Sequence, residues 1–128
     1  MRLKELIRMI KVLVIDDDPI MLKMAGMILK KAGCETVSAL SADEGEALIS
    51  SEQPDLVLAD NEMPERSGME LFEKLREQGS RLSLCIMTGT VTDELTEQAA
   101  KLGADCISKP LVFAKVSEII SKTENGGR

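Results

Sequence analysis

The chain has 128 residues, enough for one domain with a substantial single core and little left over for a second. Its 22 acidic and 16 basic residues give a net charge of −6, which argues against nucleic acid as a direct partner, because that affinity rests on basic neutralisation of phosphates. It contains no histidine, tryptophan or tyrosine, which excludes Ser-His and Cys-His catalysis, histidine-based zinc sites and a phosphohistidine of its own; carboxylates, hydroxyls and lysine remain for chemistry.

Residues 1–8 form an N-terminal extension, and Met9 offers an alternative start. The opening "MRLKELIRMIKVLVI" is broken by Lys11 and followed at once by "DDDP", so it has the form of neither a signal peptide nor a membrane span. A cytoplasmic protein without membrane insertion is expected. "KVLVID" (11–16) predicts the first strand. From Pro19 to Ala32, Met21, Met24, Ala25, Ile28, Leu29 and Ala32 follow the spacing of an apolar helical stripe that stops before Gly33. "ETVSAL" (35–40) predicts the second strand, and "SADE" (41–44) has the form of a capping box opening the second helix.

"DLVLAD" (55–60) predicts the third strand, "LSLCIM" (82–87) the fourth and "DCIS" (105–108) the fifth, with Gly79 and Gly103 at helix-to-strand passages. The last helix is expected over Leu111–Lys122, with Val112, Val116, Ile119 and Ile120 as its apolar face, before a frayed tail over 123–128. The domain proper is thus expected over 9–122. Continuous apolar runs are those of strands covered on both faces, so the pattern predicts an α/β fold with a doubly wound, mostly parallel sheet. The three cysteines, Cys34, Cys85 and Cys106, have no CxxC spacing and sit in apolar segments, as reduced core residues do.

In such a sheet, ligands bind beyond the carboxyl ends of the strands. The first strand ends in Asp16-Asp17-Asp18, the third in Asp60, the fourth in Thr88 and the fifth in Lys109-Pro110. Each has a plain structural explanation: aspartates capping a helix with Pro19 at its first position, a turn residue, a helix-entry residue and a solvated lysine. Together those explanations require four independent placements at one sheet edge. Close carboxylates repel by roughly 1–4 kcal/mol per pair, so the edge calls for a cation, and hard oxygen ligands suit magnesium better than zinc. A magnesium ion beside a nucleophilic carboxylate, with a lysine and a hydroxyl, is equipment for phosphoryl transfer to aspartate.

"VLVIDDDP", "PDLVLADNEMPERSG", "IMTG" and "GADCISKP", in that order, resemble the receiver domain of two-component response regulators, similar to single-domain chemotaxis-type regulators, over about residues 10–122. The resemblance implies a five-stranded, flavodoxin-like parallel sheet of order 2-1-3-4-5. It implies Asp60 as the phosphorylated nucleophile and magnesium held by Asp16 (through water), Asp17, Asp60 and the backbone carbonyl of Glu62. Lys109 would pair with Asp60 and then with the phosphoryl group, and Thr88 would turn its hydroxyl toward that group. Asp18 would be a helix cap, Pro64 and Gly68 would shape the loop after Asp60, and Pro110 would follow a cis peptide bond.

The donor it implies is a phosphohistidine on a sensor histidine kinase or histidine phosphotransfer protein, because the chain has no histidine. Glu62 and Thr90 would tune the lifetime of the acyl phosphate, which the domain itself would hydrolyse without turning over a separate substrate. If the chain is complete, a downstream protein target or onward relay is expected; if it is excised from a larger regulator, a linker and effector domain would follow Arg128. One position departs from the family. Where an aromatic switch residue usually stands, three before the lysine, this chain has Cys106, which makes Thr88 and Cys106 the switch candidates. The alternative is that Cys106 only packs in the fifth strand, which leaves the switch to Thr88 and the loop up to Thr92.

Two other readings compete. "DDDPI" approximates the start of haloacid-dehalogenase-type phosphatases, but that reading leaves Asp60 without a role and finds only Glu118 and Glu124 after Lys109 as late acidic residues. The other is a receiver-like binding module that acts without phosphorylation.

Overall fold

The computed structural model of the chain describes residues 9–126, so the extension expected over 1–8 lies outside the described residues. Strands β1 (Lys11–Ile15), β2 (Glu35–Ala39), β3 (Leu56–Asp60), β4 (Ser83–Thr88) and β5 (Asp105–Ser108) alternate with helices α1 (Pro19–Lys31), α2 (Ala42–Glu52), α3 (Gly68–Glu77), α4 (Asp93–Lys101) and α5 (Phe113–Gly126). The strands form one parallel sheet of order β2-β1-β3-β4-β5, as the resemblance implied.

The side-chain alternation of a strand explains why β1, β3 and β4 read as unbroken apolar runs. Val12, Val14, Leu56, Leu58, Cys85 and Met87 enter one core layer with Ala25 and Leu29 of α1 and Val116, Ile119 and Ile120 of α5. Leu13, Ile15, Val57, Ala59, Leu84 and Ile86 enter the other with Ala42 of α2, Leu71, Phe72 and Leu75 of α3, and Leu95 and Ala99 of α4. Each fully buried aliphatic side chain contributes about 1.5–3 kcal/mol. Two of the three helices on this face are anchored unequally: α3 buries Gly68, Met69, Leu71, Phe72 and Leu75, whereas α4 buries Leu95 and Ala99.

The helix starts follow capping chemistry. Asp18 Oδ1 accepts from the Ile20 N–H at 2.9 Å with Pro19 in the first turn. Ser41 Oγ accepts from the Glu44 N–H at 3.1 Å, but Glu44 Oε1 accepts from the N–H of Leu40 at 2.6 Å, one residue before the cap. The reciprocal capping box sits at α3, where Ser67 Oγ accepts from the Glu70 N–H and Glu70 Oε1 from the Ser67 N–H.

Three sequence expectations need correction. Met24, assigned to the apolar stripe of α1, is exposed; Ala25 and Leu29 carry that contact instead. Leu111 and Val112 both precede α5, and there Val112 is exposed while Leu111 is in the core. The last helix runs past Lys122 through Gly126, and Thr123 is buried with its hydroxyl donating to the Ile119 carbonyl at 3.0 Å, so residues 123–126 are helix rather than tail. Among the described residues, no helix is long and apolar enough to cross a membrane.

Candidate functional site

Asp60 closes β3, the strand flanked by β1 and β4, and lies 2% exposed. The next residue fastens the strand end from two directions. The Asn61 N–H donates to the Met87 carbonyl at 2.9 Å, and Asn61 Oδ1 accepts from the Met69 N–H at 3.0 Å in the first turn of α3. Gly68 allows that close approach: a Cβ there would lie 2.8 Å from the Asp60 carbonyl oxygen and 3.1 Å from Ala59 Cβ. Gly68→Ala is therefore expected to lose about 1–3 kcal/mol in urea unfolding. Wild-type stability in that variant would contradict the packing described.

At the neighbouring strand end, Asp16 is 1% exposed, and its Oδ1 accepts from the Asp18 N–H at 2.9 Å. Lys109 Nζ reaches both buried carboxylates, 2.9 Å from Asp60 Oδ2 and 3.2 Å from Asp16 Oδ2. The lysine is held by its own backbone, whose N–H donates to the Thr88 carbonyl at 2.8 Å, and the Lys109–Pro110 bond is cis. Asp60 Oδ1 accepts from the Glu62 N–H at 3.0 Å. Thr88, at the end of β4, is buried; its Oγ1 donates to Glu62 Oε2 at 2.8 Å and lies 3.1 Å from the Thr90 carbonyl. The Gly89 N–H donates to Glu62 Oε1 at 2.9 Å.

The charges are unbalanced. Burial pushes the Asp60 carboxyl above its ordinary pKa and the charge of Asp16 pushes the same way, against the pull of Lys109 and the Glu62 N–H. Burial alone would lower Lys109, but its bonds to Asp60 and Asp16 outweigh this and hold the ammonium above its ordinary pKa. Carboxylate oxygens of Asp16, Asp17 and Asp60 lie within 4.8 Å of one another, two of the residues buried and Asp17 exposed. One ammonium against three carboxylates leaves a surplus of negative charge, and an all-oxygen donor set fits a hard divalent cation.

The structure thus brings Asp16, Asp17, Asp60, Glu62, Thr88, Thr90 and Lys109 to one edge. Cys106 stands one strand away in β5, half-buried against the core on the α4 side. Burial raises its thiol pKa, opposed by a hydrogen bond with Thr96 of α4. The sequence reading did not foresee the Asn61 clasp, the grip of the Glu62 carboxylate on Thr88 and Gly89, or the ion pairs of the loop after Asp60. In that loop Arg66 Nη2 pairs with Glu46 at 2.7 Å and Asp43 at 3.0 Å, and Lys74 pairs with Glu46 at 2.9 Å.

Hydrogen bonds from Lys74 and then Arg66 lower the Glu46 carboxyl pKa. A lowered carboxylate stabilises the fold above its ordinary pKa and ceases to do so as pH falls through the lowered value. Glu46→Gln should thus cost roughly 0.5–1 kcal/mol at neutral pH, a difference that closes in acid. A difference that widened in acid would show the sign to be wrong.

A family model described as the response regulator receiver domain matches residues 12–121. The two-component response regulator ARR22 of Arabidopsis thaliana is 35% identical over 119 residues, covering 89% of this chain and 83% of that protein. The hybrid signal transduction histidine kinase L of Dictyostelium discoideum is 33% identical over 126 residues, covering 91% of this chain but 7% of that protein. A solved CheY-like receiver domain protein from Methanospirillum hungatei superposes with a TM-score of 0.83 at 29% identity, covering 94% of this chain and 97% of its own.

Proposed function

Since the chain belongs to the response regulator receiver domain family of two-component signalling, we propose that Asp60 is its phosphoacceptor. The observation that carries this reading is the setting of Asp60: a buried carboxylate at a strand end, 2.9 Å from the Lys109 ammonium and within 4.8 Å of two further aspartates. In the transfer, an Asp60 carboxylate oxygen forms a bond to phosphorus as the N–P bond of a phosphohistidine breaks. The electron pair stays on the imidazole nitrogen, which then takes a proton from water.

Lys109 neutralises the entering group and holds the carboxylate in place, while the Thr88 hydroxyl and the Gly89 N–H, just after Asp60's partner Met87 on β4, are donors for phosphoryl oxygens. Asp16, Asp17, Asp60 and the Glu62 carbonyl would hold magnesium. When bound, that ion supplies neutralisation of phosphoryl charge. Reversal is hydrolytic: water attacks phosphorus, the acyl O–P bond breaks, and Asp60 is regenerated with release of inorganic phosphate. Glu62 and Thr90, beside Thr88, set its rate.

The donor is a histidine kinase or a histidine phosphotransfer protein, a partnership supported by the response regulator and hybrid kinase among the relatives. The signal passes on by docking to a downstream protein or by relay, with Thr88 as the moving group and Cys106 packing where an aromatic would swing.

The test is intact mass after brief incubation with magnesium and acetyl phosphate. A single phosphoryl adduct that requires magnesium is expected. Its absence at every time point would leave a receiver fold that works as a binding module without phosphorylation.

A further inference from the structure

Glu62 touches the site twice, and its two contacts have opposite consequences. Its backbone N–H donates to Asp60 Oδ1 and so helps to orient the acceptor. Its carboxylate takes up the Thr88 hydroxyl at 2.8 Å and the Gly89 N–H at 2.9 Å, one oxygen to each. A hydroxyl has one proton to give and an amide N–H one, so a donor used by Glu62 is not free for another anion. Asp60 pairs with Met87 across the sheet, so the hydroxyl and amide that follow Met87, now bound to the two oxygens of one anion, stand where an anion on Asp60 would compete for them.

We infer that the Glu62 carboxylate is a resident stand-in for the phosphoryl group, so that phosphorylation of Asp60 is the exchange of one anion for another on the Thr88 and Gly89 donors. The inference rests on Asp60 being the phosphoacceptor. A phosphoryl group brings a charge of about −1.5 to −2, which repels the Glu62 carboxylate as it competes for both donors. The way out is open: Glu62 is itself exposed and borders a cleft lined by Thr90, Thr92, Glu94, Leu95 and Gln98, which separates Thr88 from α4. In the resting protein the same contacts hold Thr88 and the β4–α4 loop in one arrangement. Glu62 is thus a positioning residue for Thr88 before transfer and a competitor during it.

The experiment compares wild type, Glu62→Ala, Glu62→Gln and Glu94→Gln. It follows the initial rate of adduct formation from acetyl phosphate with magnesium and the amide resonance of Gly89 in the unphosphorylated proteins. Losing two charge-assisted bonds from the resting state should speed Glu62→Ala about tenfold. Glu62→Gln, which keeps an acceptor but no charge, should fall between. Glu94→Gln removes a charge from the same cleft without touching either donor and should stay near wild type, while the Gly89 resonance should move in Glu62→Ala.

An adduct in wild type with equal or slower rates in both Glu62 variants would overturn the exchange while leaving the phosphoacceptor reading intact. So would an unmoved Gly89 resonance, and an equal acceleration in Glu94→Gln would reduce the effect to general charge. No adduct in any of the four proteins would overturn the phosphoacceptor reading and the exchange with it.

Discussion

Asp60→Asn is expected to abolish the phosphoryl adduct and, in the same protein, to raise thermal stability. The first effect follows from chemistry: the carboxamide lacks the anionic oxygen that attacks phosphorus, and of the three clustered aspartates only Asp60 stands at the end of β3. The second follows from burial. Folding moves Asp60 into a site where its proton is held more tightly than in the unfolded chain, because of desolvation and then the charge of Asp16. The folded state therefore binds more protons than the unfolded state in that window, and stability falls as pH rises from the ordinary carboxylate range through the raised pKa. Asparagine removes that penalty while Lys109 retains Asp16 as its partner. In the presence of a chelator at neutral pH, a rise in Tm on the order of a few degrees is expected, shrinking toward pH 4. An adduct that persists in the variant, or a variant that melts below wild type at neutral pH, would refute the corresponding half.

Lys109→Met should do the opposite to the fold while also impairing the reaction. It leaves Asp16 and Asp60, 1% and 2% exposed, facing each other without their ammonium. Removing one member of a buried ionic set is strongly destabilising because the others stay buried. The Lys109 side chain keeps 20% exposure, so water softens the cost, and a loss of roughly 2–3 kcal/mol in urea unfolding without metal is expected. The deficit should narrow in acid, where protonation of Asp60 removes the charge that Lys109 offsets. Adduct formation should slow about a hundredfold, the scale for losing one preorganised charge-stabilising donor. Magnesium should bind more tightly, since a positive charge beside two of its proposed ligands is gone. Unchanged stability at neutral pH would mean that the carboxylates do not depend on the lysine.

What the sequence disclosed and what it hid divide along a physical line. Parallel strands buried on both faces leave unbroken apolar runs, so all five were legible, with β5 read to its limits and the others to within a residue at either end. Because a parallel sheet aligns its carboxyl ends, residues as distant as Asp16 and Lys109 could be assigned to one edge before any distance was known. The unread features depend on side chains crossing loops. Nothing in "NEMPERSG" announces that Asn61 clasps Met69, that the Glu62 carboxylate travels to β4, or that Arg66 reaches back to α2. The capping box at Ser67 and Glu70 did have a readable Ser-x-x-Glu signature, masked by the proline and glycine around it. The end of α5 was misplaced because "TENGG" ends in weak helix formers, whereas Thr123 is buried and the helix runs on through Gly126.

The unequal anchoring of α3 and α4 has a mechanical consequence. On one side Asp60 is mounted rigidly: the Gly68 backbone seats against its carbonyl, Asn61 ties the strand end to Met69, and α3 is bolted down by Leu71, Phe72 and Leu75. On the other side the neighbouring helix rests on Leu95 and Ala99 across an open cleft. Local compliance rises where few apolar groups are buried. A load applied at the end of β3 therefore meets a stiff mount and a soft one. The larger displacement is therefore expected at the soft one, α4, with α3 as the fixed frame.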